Sequence, residues 1–301
     1  MSRWVLRGLQ TGIRTTPFPA YPDPDSSPTL IELSPGSLTP ETALASARVC
    51  PTSAIEATGD AARGALVFDA GQCVMCGRCL QAAPDAFHLS SQPEVAVRSR
   101  ERLRVRVEWL KGRLQPISNE TVNEQASGRR IQVAAGAVRE EPEAGELVRE
   151  LHRRSLRIFR RSLHIRHVDA GSCNGCESEL QMLSAPRYDL ARLGLFFTPT
   201  PRHADCLLVT GVVTRQMEQA LLKTYHAMPS PKMVLAAGVC AIGGGCFAGG
   251  FMTHGPLDEI LPVDAYVPGC PPTPLALLHG LLLAVGKAEE RYQAGEPNSV
   301  D

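Results

Sequence analysis

The sequence predicts an α/β protein in two parts, a small α+β unit followed by a larger parallel α/β sheet. After residue 165, short apolar runs that each end at a glycine alternate with helical stretches. This pattern is typical of a parallel sheet covered on both faces. Before residue 93, a compact segment with closely spaced cysteines lacks that alternation. The length of 301 residues is also typical of two domains.

Composition excludes several classes of protein. Lys plus Arg and Asp plus Glu each number 31, and aromatic residues make up 5% of the chain, so neither a basic surface for nucleic acid nor a stacking platform is expected. Arg7 and Arg14 interrupt the N-terminal apolar residues, which argues against a signal peptide. With no apolar run of about 18 residues, we expect no direct membrane span. In the intracellular location expected by default, the ten cysteines favour metal binding over disulfides.

The N-terminal segments and the middle of the chain are the hardest to interpret. Residues 3–14 fit a helix with one apolar side, for docking or simply as a frayed end. The run RERLRVRVEWLKGRL alternates apolar and basic residues like an edge strand, although its composition also allows a helix. We expect four segments: an N-terminal helix and loop at 1–40, a cysteine unit at 41–92, a linker at 93–144 and a C-terminal domain at 145–295.

The C-terminal domain begins with a predicted helix over 145–163, whose many arginines favour a nearby partner or membrane surface. Two further helices are predicted, TRQMEQALLKTYHAM and PTPLALLHGLLLAVGKAEERY. The predicted strands are HIRHVDAG, DCLLVTG, KMVLAAG and DAYVPG. In open sheets of this kind, sites form beyond the carboxyl ends of the strands.

The first cysteine set lies in the small unit. CVMCGRC supplies Cys73, Cys76 and Cys79, and the upstream VCPTSAI supplies Cys50 followed by proline. Bacterial ferredoxins carry the run C-x2-C-x2-C-x3-C-P twice, and the fourth cysteine of each run binds the other cluster. Here each run is half erased. The erased cysteine positions hold Pro40, Ala43, Ser46 and Ala83.

The surviving cysteines match the full ligand set of one cluster and not half of the ligand set of each of two clusters. Cys50, Cys73, Cys76 and Cys79 form the complete ligand set of one 4Fe-4S cluster, whereas random loss would leave incomplete sets. We therefore predict one such cluster in a ferredoxin-like βαββαβ unit. Structural zinc is the alternative, although three cysteines at successive two-residue gaps suit a cubane better than a tetrahedral ion. The unit resembles the two-cluster ferredoxin-like subunits of formate hydrogenlyase and respiratory complex I, with one cluster lost.

The second cysteine set follows the predicted strands. Cys173 and Cys176 follow HIRHVDAG, Cys240 follows KMVLAA, and Cys270 follows AYV. These strands would end at the same edge of a parallel sheet, where four thiolates can converge. Nearby glycines would let backbone N–H groups approach the sulfurs. A dithiol redox pair at Cys173 and Cys176, or a zinc ion, remains an alternative, but a dithiol pair would leave Cys240 and Cys270 unexplained.

The motifs HVDAGSCNGCESEL, HADCLLVTG, GVCAIGGG and VPGCPPTP resemble the small subunit of the membrane-bound, energy-converting nickel–iron hydrogenases of group 4. This group includes the formate hydrogenlyase and hydrogenase-4 types and shares its fold, which is flavodoxin-like, with the 20 kDa subunit of complex I. The resemblance covers roughly residues 160 to 290. It implies that Cys173, Cys176, Cys240 and Cys270 hold the 4Fe-4S cluster nearest the active site. The expected cofactors of the whole chain are thus two 4Fe-4S clusters.

The resemblance also implies partners. A non-catalytic electron-transfer subunit would pass electrons between a redox partner and the hydrogenase large subunit, on the cytoplasmic side of the inner membrane. Asn174 and Gly175 separate the first two cysteines as in hydrogenases, whereas complex I subunits carry them as neighbours. A complex I-like or nickel-free complex, which would contain a 49 kDa-like large subunit, and a stand-alone ferredoxin-type carrier are the alternatives.

Four further residues have open roles. Glu177 and Glu179 follow the motif, and their placement suits a helix N-terminus. Glu177 is also a candidate for proton transfer or for contact with the large subunit. Cys206 lies in an apolar run and is expected to be a core thiol. Cys246 is expected not to be a ligand, because the four-cysteine set is already complete.

Overall fold

The computed structural model describes residues 15–16, 18, 27–90, 92–111, 113–114, 162–286 and 288–294. The helix predicted over 3–14 lies outside these residues. So does the helix predicted over 145–163, except at its end, where Leu163 already begins a strand. Among the described residues, no helix is long and apolar enough to cross a bilayer.

The N-terminal unit has the predicted βαββαβ order, followed by two more strands. Its first and last predicted strands pair antiparallel, and the middle two form an antiparallel hairpin. The first helix begins where Thr39 accepts a hydrogen bond from the Thr42 N–H at 3.2 Å, with Pro40 in the first turn. The elements are β1 Leu30–Leu33, α1 Pro40–Val49, β2 Ile55–Gly59, β3 Arg63–Asp69, α2 Arg78–Ala82, β4 Phe87–Ser90, β5 Arg104–Leu110 and β6 Arg113–Leu114.

Backbone pairing extends this unit beyond the expected 41–92. β1 lies in the segment expected to be helix and loop, yet it pairs with β4. β5 lies in the expected linker at 93–144, yet it pairs antiparallel with β3 on one side and β6 on the other. Its alternation decides between strand and helix, because Val105, Val107 and Trp109 are buried while the residues between them are more exposed. Because it pairs on both sides, β5 is an interior strand and not an edge strand.

The residues just before β5 also differ from a linker. Val95, Ala96 and Val97 are buried. Val97 forms an isolated antiparallel bridge with Tyr266, with N–O distances of 3.0 and 2.7 Å. This segment covers an otherwise open edge of the C-terminal sheet, which removes unpaired backbone groups.

The C-terminal part contains five parallel strands. Across the sheet they lie in the order Ala265–Val267 (β13), Met233–Ala237 (β11), Cys206–Thr210 (β9), Leu163–Asp169 (β7) and Leu195–Phe197 (β8). Numbered within the sheet, this is the flavodoxin-like order 2-1-3-4-5. The predicted strands are confirmed, and the three in the middle and at the covered edge are buried throughout. The elements are β7 Leu163–Asp169, α3 Gly175–Met182, α4 Leu190–Leu193, β8 Leu195–Phe197, β9 Cys206–Thr210, β10 Val213–Thr214, α5 Arg215–Ala227, β11 Met233–Ala237, α6 Val239–Gly243, β12 Thr253–Gly255, β13 Ala265–Val267 and α7 Pro274–Ala284.

The two long predicted helices of this part form, with sequence-encoded ends. Thr214 caps α5 by accepting from the Met217 N–H at 3.3 Å. Thr273 caps α7 in the same way. The prediction carried α7 on to residue 292, but the helix ends at Ala284 because Gly286 adopts a left-handed conformation with φ of 70°.

Candidate metal centres

The first cysteine set surrounds one pocket in the N-terminal unit. Cys50 ends α1, Cys73 follows the 3-10 turn Ala70–Gln72, and Cys79 lies in α2. All four cysteines, including the exposed Cys76, line the same pocket, whose other walls are largely apolar. The Thr52 hydroxyl donates to the Gln72 carbonyl oxygen at 2.9 Å, which ties the Cys50 loop to the turn before Cys73.

Small side chains occupy positions where the cysteines of the lost cluster would stand. Ala43, Ser46 and Ala83 are buried, and the Ser46 hydroxyl donates to the Ala43 carbonyl oxygen at 3.0 Å. These residues belong to the protein interior and supply no sulfur. The unit therefore offers one complete set of thiols.

Burial sets the protonation of these thiols. Desolvation, with smaller contributions from neighbouring cysteines, raises the pKa of Cys73 to about 12 and that of Cys79 to about 11. The thiols are therefore protonated at neutral pH unless a cation compensates the thiolate charge. Binding of a metal group must release these protons, because thiolates are the binding species.

The second cysteine set lies at the carboxyl edge of the parallel sheet, as the strand pattern predicts. Cys173 and Cys176 come from the loop after β7 and from α3, Cys240 from α6 after β11, and Cys270 from the loop after β13. Burial is the main cause that raises the pKa of Cys240 to about 12, with smaller contributions from Cys270, Cys246 and Cys173. The pKa of Cys176 is raised by burial and then by Glu177, Cys240, Cys270 and Cys173. The four cysteines thus interact with one another.

Glycines let the backbone approach these sulfurs. A β-carbon added at Gly238 would lie 2.6 Å from the Cys176 sulfur, and one added at Gly245 would lie 2.9 Å from the Cys240 sulfur. Both glycines also have positive φ, 86° and 54°. Only glycine fits this close contact. Four soft thiolates beside open backbone fit an iron–sulfur cluster.

In the part of the chain that the structure describes, no three His, Cys, Asp or Glu side chains are arranged to hold one metal ion.

The two remaining cysteines differ from each other. Cys206 is fully buried in β9, and burial raises the pKa of its thiol well above the ordinary value; it lies where a core thiol was predicted. Cys246 is exposed in the turn Gly245–Phe247. It is close enough that its charge would raise the pKa of Cys240 and Cys270, so it borders the second set.

Glu177 is held by a network that the sequence did not reveal. Its carboxylate accepts hydrogen bonds from the Ser172 hydroxyl at 2.7 Å and from the Thr210 hydroxyl. Since Thr210 donates its single hydrogen to Glu177, His167 Nε2, 2.8 Å from the Thr210 oxygen, must carry a hydrogen and donate it. Burial lowers the pKa of His167, which favours this neutral form. In the sequence, only the position of Thr210 at the carboxyl end of β9 could have indicated that it lies near the site.

Other acidic and histidine side chains have ordinary surroundings. Glu179 is partly exposed, and burial raises its pKa. His254 Nε2 lies 2.9 Å from a Glu218 carboxylate oxygen. His203 is exposed in a short turn. None of these three contacts the two cysteine sets in a way that the structure records.

The C-terminal part of the chain is similar to known proteins. The family model described as "NADH ubiquinone oxidoreductase, 20 Kd subunit" matches residues 173–284. The chain is 42% identical over 146 residues to "Formate hydrogenlyase subunit 7" of Escherichia coli, covering 48% of this chain and 57% of that protein. It is 47% identical over 137 residues to "Probable membrane-bound hydrogenase subunit mbhJ" of Pyrococcus furiosus, covering 46% and 82%.

A third relative comes from respiratory enzymes. An NADH-quinone oxidoreductase subunit of Citrifermentans bemidjiense is 46% identical over 121 residues, which cover 40% of this chain and 71% of that protein. These relatives define the class, subunits of oxidoreductase complexes. The chain belongs to the family of the 20 kDa subunit of NADH ubiquinone oxidoreductase and of the related hydrogenase subunits. It spans little more than half the length of the formate hydrogenlyase subunit that it matches.

Proposed function

We propose that the chain is the iron–sulfur electron-transfer subunit of a membrane-associated nickel–iron hydrogenase of the formate hydrogenlyase or hydrogenase-4 type. The observation that carries this proposal is the presence of two gathered sets of four cysteines in one chain. One set lines a single pocket in the N-terminal unit. The other meets at the carboxyl edge of the flavodoxin-like sheet.

Each set would hold one 4Fe-4S cluster, which supplies one-electron redox chemistry. Cys50, Cys73, Cys76 and Cys79 bind at the first site, and Cys173, Cys176, Cys240 and Cys270 bind at the second. Ile31, Ala54 and Ile55 supply apolar walls at the first site. At the second, Gly238 and Gly245 keep the backbone close to the sulfurs, where hydrogen bonding tunes the potential.

The partners follow from this assignment. The second site opens at the sheet edge through the exposed Cys173, and the hydrogenase large subunit, with the catalytic metals, would bind there. Glu177, next to Cys176, would serve proton transfer or contact at this interface. The complex would lie on the cytoplasmic side of the inner membrane, where partner proteins would hold this chain.

A second candidate function is supported by the similarity to the NADH-quinone oxidoreductase relative. In that case the same two sites would serve a complex without nickel. The separation of Cys173 from Cys176 by two residues favours the hydrogenase. Hydrogen–deuterium exchange by the purified complex distinguishes the two, because only a hydrogen-cleaving centre supports it; its absence would favour the second candidate.

Iron content tests the assignment directly. Anaerobically purified chain should contain about eight irons, two clusters of four. A content of about four irons would remove one of the two sites from the proposal. About twelve irons would mean that the ferredoxin-like unit holds a second cluster despite its erased cysteines.

A further inference from the structure

The two cysteine sites are joined by one close contact between the N-terminal unit and the C-terminal sheet. The turn Ala70–Gln72, which leads directly into Cys73, packs against α6, which contains Cys240. Gly71 stands two residues before Cys73, and Gly243 stands three residues after Cys240. These two glycines face each other at the contact.

Close packing requires glycine at both positions. A β-carbon at Gly243 would lie 2.6 Å from Gln72 Cγ and 2.9 Å from the Gly71 carbonyl oxygen. A β-carbon at Gly71 would lie 2.8 Å from Ile242 Cγ2. Neither glycine has a positive φ, so space and not backbone conformation is the constraint. A larger residue at Gly243 must push the two backbones apart, because the Gly71 carbonyl is in the way, whereas one at Gly71 would displace the Arg100 and Ile242 side chains.

Arg100 clamps this contact. Its guanidinium donates to both carboxylate oxygens of Asp69, at 2.6 and 2.7 Å. The same carboxylate accepts from the Gly71 N–H at 2.8 Å. A β-carbon at Gly71 would lie 2.8 Å from Arg100 Cζ, and one at Gly243 would lie 3.3 Å from Arg100 Nη2. Arg100 is 8% exposed, so a buried two-point ion pair fixes the turn, and its guanidinium lies beside Gly243 of α6.

We propose that the Gly71–Gly243 contact is the electron-transfer bridge between the two cysteine sites, and that Arg100 is the positioning residue that sets its length. The inference rests on the proposed function. One electron leaves the donor site, which is oxidised, and enters the acceptor site, which is reduced. No bond is made or broken. Electron tunnelling weakens exponentially with distance. Covalent bonds connect Cys73 to Gly71 and Cys240 to Gly243, so a route between the two cysteines can cross from one segment to the other at this contact.

The test compares Gly243→Ala with Gly36→Ala in the full chain. Gly36 lies in the N-terminal unit with nothing within 4 Å of an added β-carbon, so it is a matched control. With both sites reduced, pulsed electron paramagnetic resonance measures their magnetic coupling, and flash reduction measures the rate of transfer between them. We expect Gly243→Ala to keep its iron and the potential of each site, but to show weaker coupling and several-fold slower transfer. Gly36→Ala should match the wild type.

Arg100→Lys is the second variant, since lysine keeps the charge but loses the two-point geometry. It should weaken the coupling in the same direction, and it decides the question if Gly243→Ala fails to fold. Unchanged coupling and rate in iron-replete variants would overturn the bridge while leaving the proposed function intact. Wild-type chain with only one iron–sulfur centre would instead remove one of the two sites from the proposed function, and the bridge with it.

Discussion

The cysteines of this chain differ in their surroundings, and the differences predict which of them bind iron. Cys206 is sealed in β9, whereas Cys246 borders the second set from an exposed turn. We expect Cys206→Ser and Cys246→Ser to retain the wild-type iron content. Cys240→Ser should lose about four irons or convert the cluster. Iron and sulfide analysis of anaerobic preparations measures this, and iron loss in Cys246→Ser would make that residue a ligand.

Thr210 shows how one hydroxyl positions a charged side chain. It donates to Glu177 and accepts from His167. Thr210→Val keeps the shape but removes the donor, so the buried carboxylate loses a hydrogen bond worth about 1.5–3 kcal/mol. The free energy of unfolding from urea titration should fall by that order. Thr210→Ser, which keeps the hydroxyl and loses only the methyl, is the control; unchanged stability in Thr210→Val would contradict the role of this hydrogen bond.

At the scale of elements, α7 is tied to the segment before β5 by a buried histidine. His279 Nδ1 accepts from the Ala96 N–H at 3.2 Å, and its Nε2 lies 3.1 Å from the Glu289 carbonyl oxygen. His279→Leu leaves the buried Ala96 N–H unpaired, which costs about 1–3 kcal/mol. Thermal or urea unfolding should show this loss. The exposed His203→Leu is the control, and an equal effect there would refute the role of His279.

The same histidine gives stability a defined pH dependence. Burial lowers the pKa of His279 below its ordinary 6.5, although Glu94 and Glu290 act in the opposite direction and Arg291 adds to the lowering. The unfolded chain therefore binds the proton first as pH falls. The contribution of neutral His279 to the free energy of unfolding is complete above pH 6.5. It declines below that pH, by at most about 1.4 kcal/mol per pH unit, down to the lowered native pKa.

Urea titrations from pH 8 to pH 5 check this dependence. The wild type should lose stability below about pH 6.5, and His279→Leu should show a flatter profile in that range. Identical profiles for the two proteins would place the acid sensitivity in other groups.

At the scale of the whole molecule, the proposed function would place the two cysteine sites in series. The second site would lie nearest the catalytic metals of the large subunit, and the first site would be the outer one. Cys76→Ser should damage the outer site but leave the C-terminal sheet intact, because Cys76 lies in the exposed part of the first set. Hydrogen–deuterium exchange needs no net electron export, so the assembled mutant complex should retain it.

Electron transfer to the redox partner should fall sharply in the same preparation. Isotope exchange and partner-linked turnover are therefore measured together, with co-purification of the large subunit as the check on assembly. Equal loss of both activities in a fully assembled complex would contradict the series arrangement.

The sequence by itself determined the local features of this protein. Strands such as CLLVT and MVLAA are confirmed because continuous apolar runs need burial on both faces of a sheet. Helix starts at Thr214 and Thr273 follow from capping by neighbouring residues. The first set of four cysteines came from the ferredoxin-like spacing. The second came from the predicted strand ends and from the resemblance to hydrogenase small subunits. Both assignments stay predictions until iron is measured.

Only the tertiary structure decided which distant segments meet. β1 and β5 joined the N-terminal unit, and Val97 paired with Tyr266, through hydrogen bonds between residues far apart in the chain. The Glu177 network and the Gly71–Gly243 contact arose in the same way. Local propensity does not encode such pairs, because their energy depends on the packing that brings the partners together.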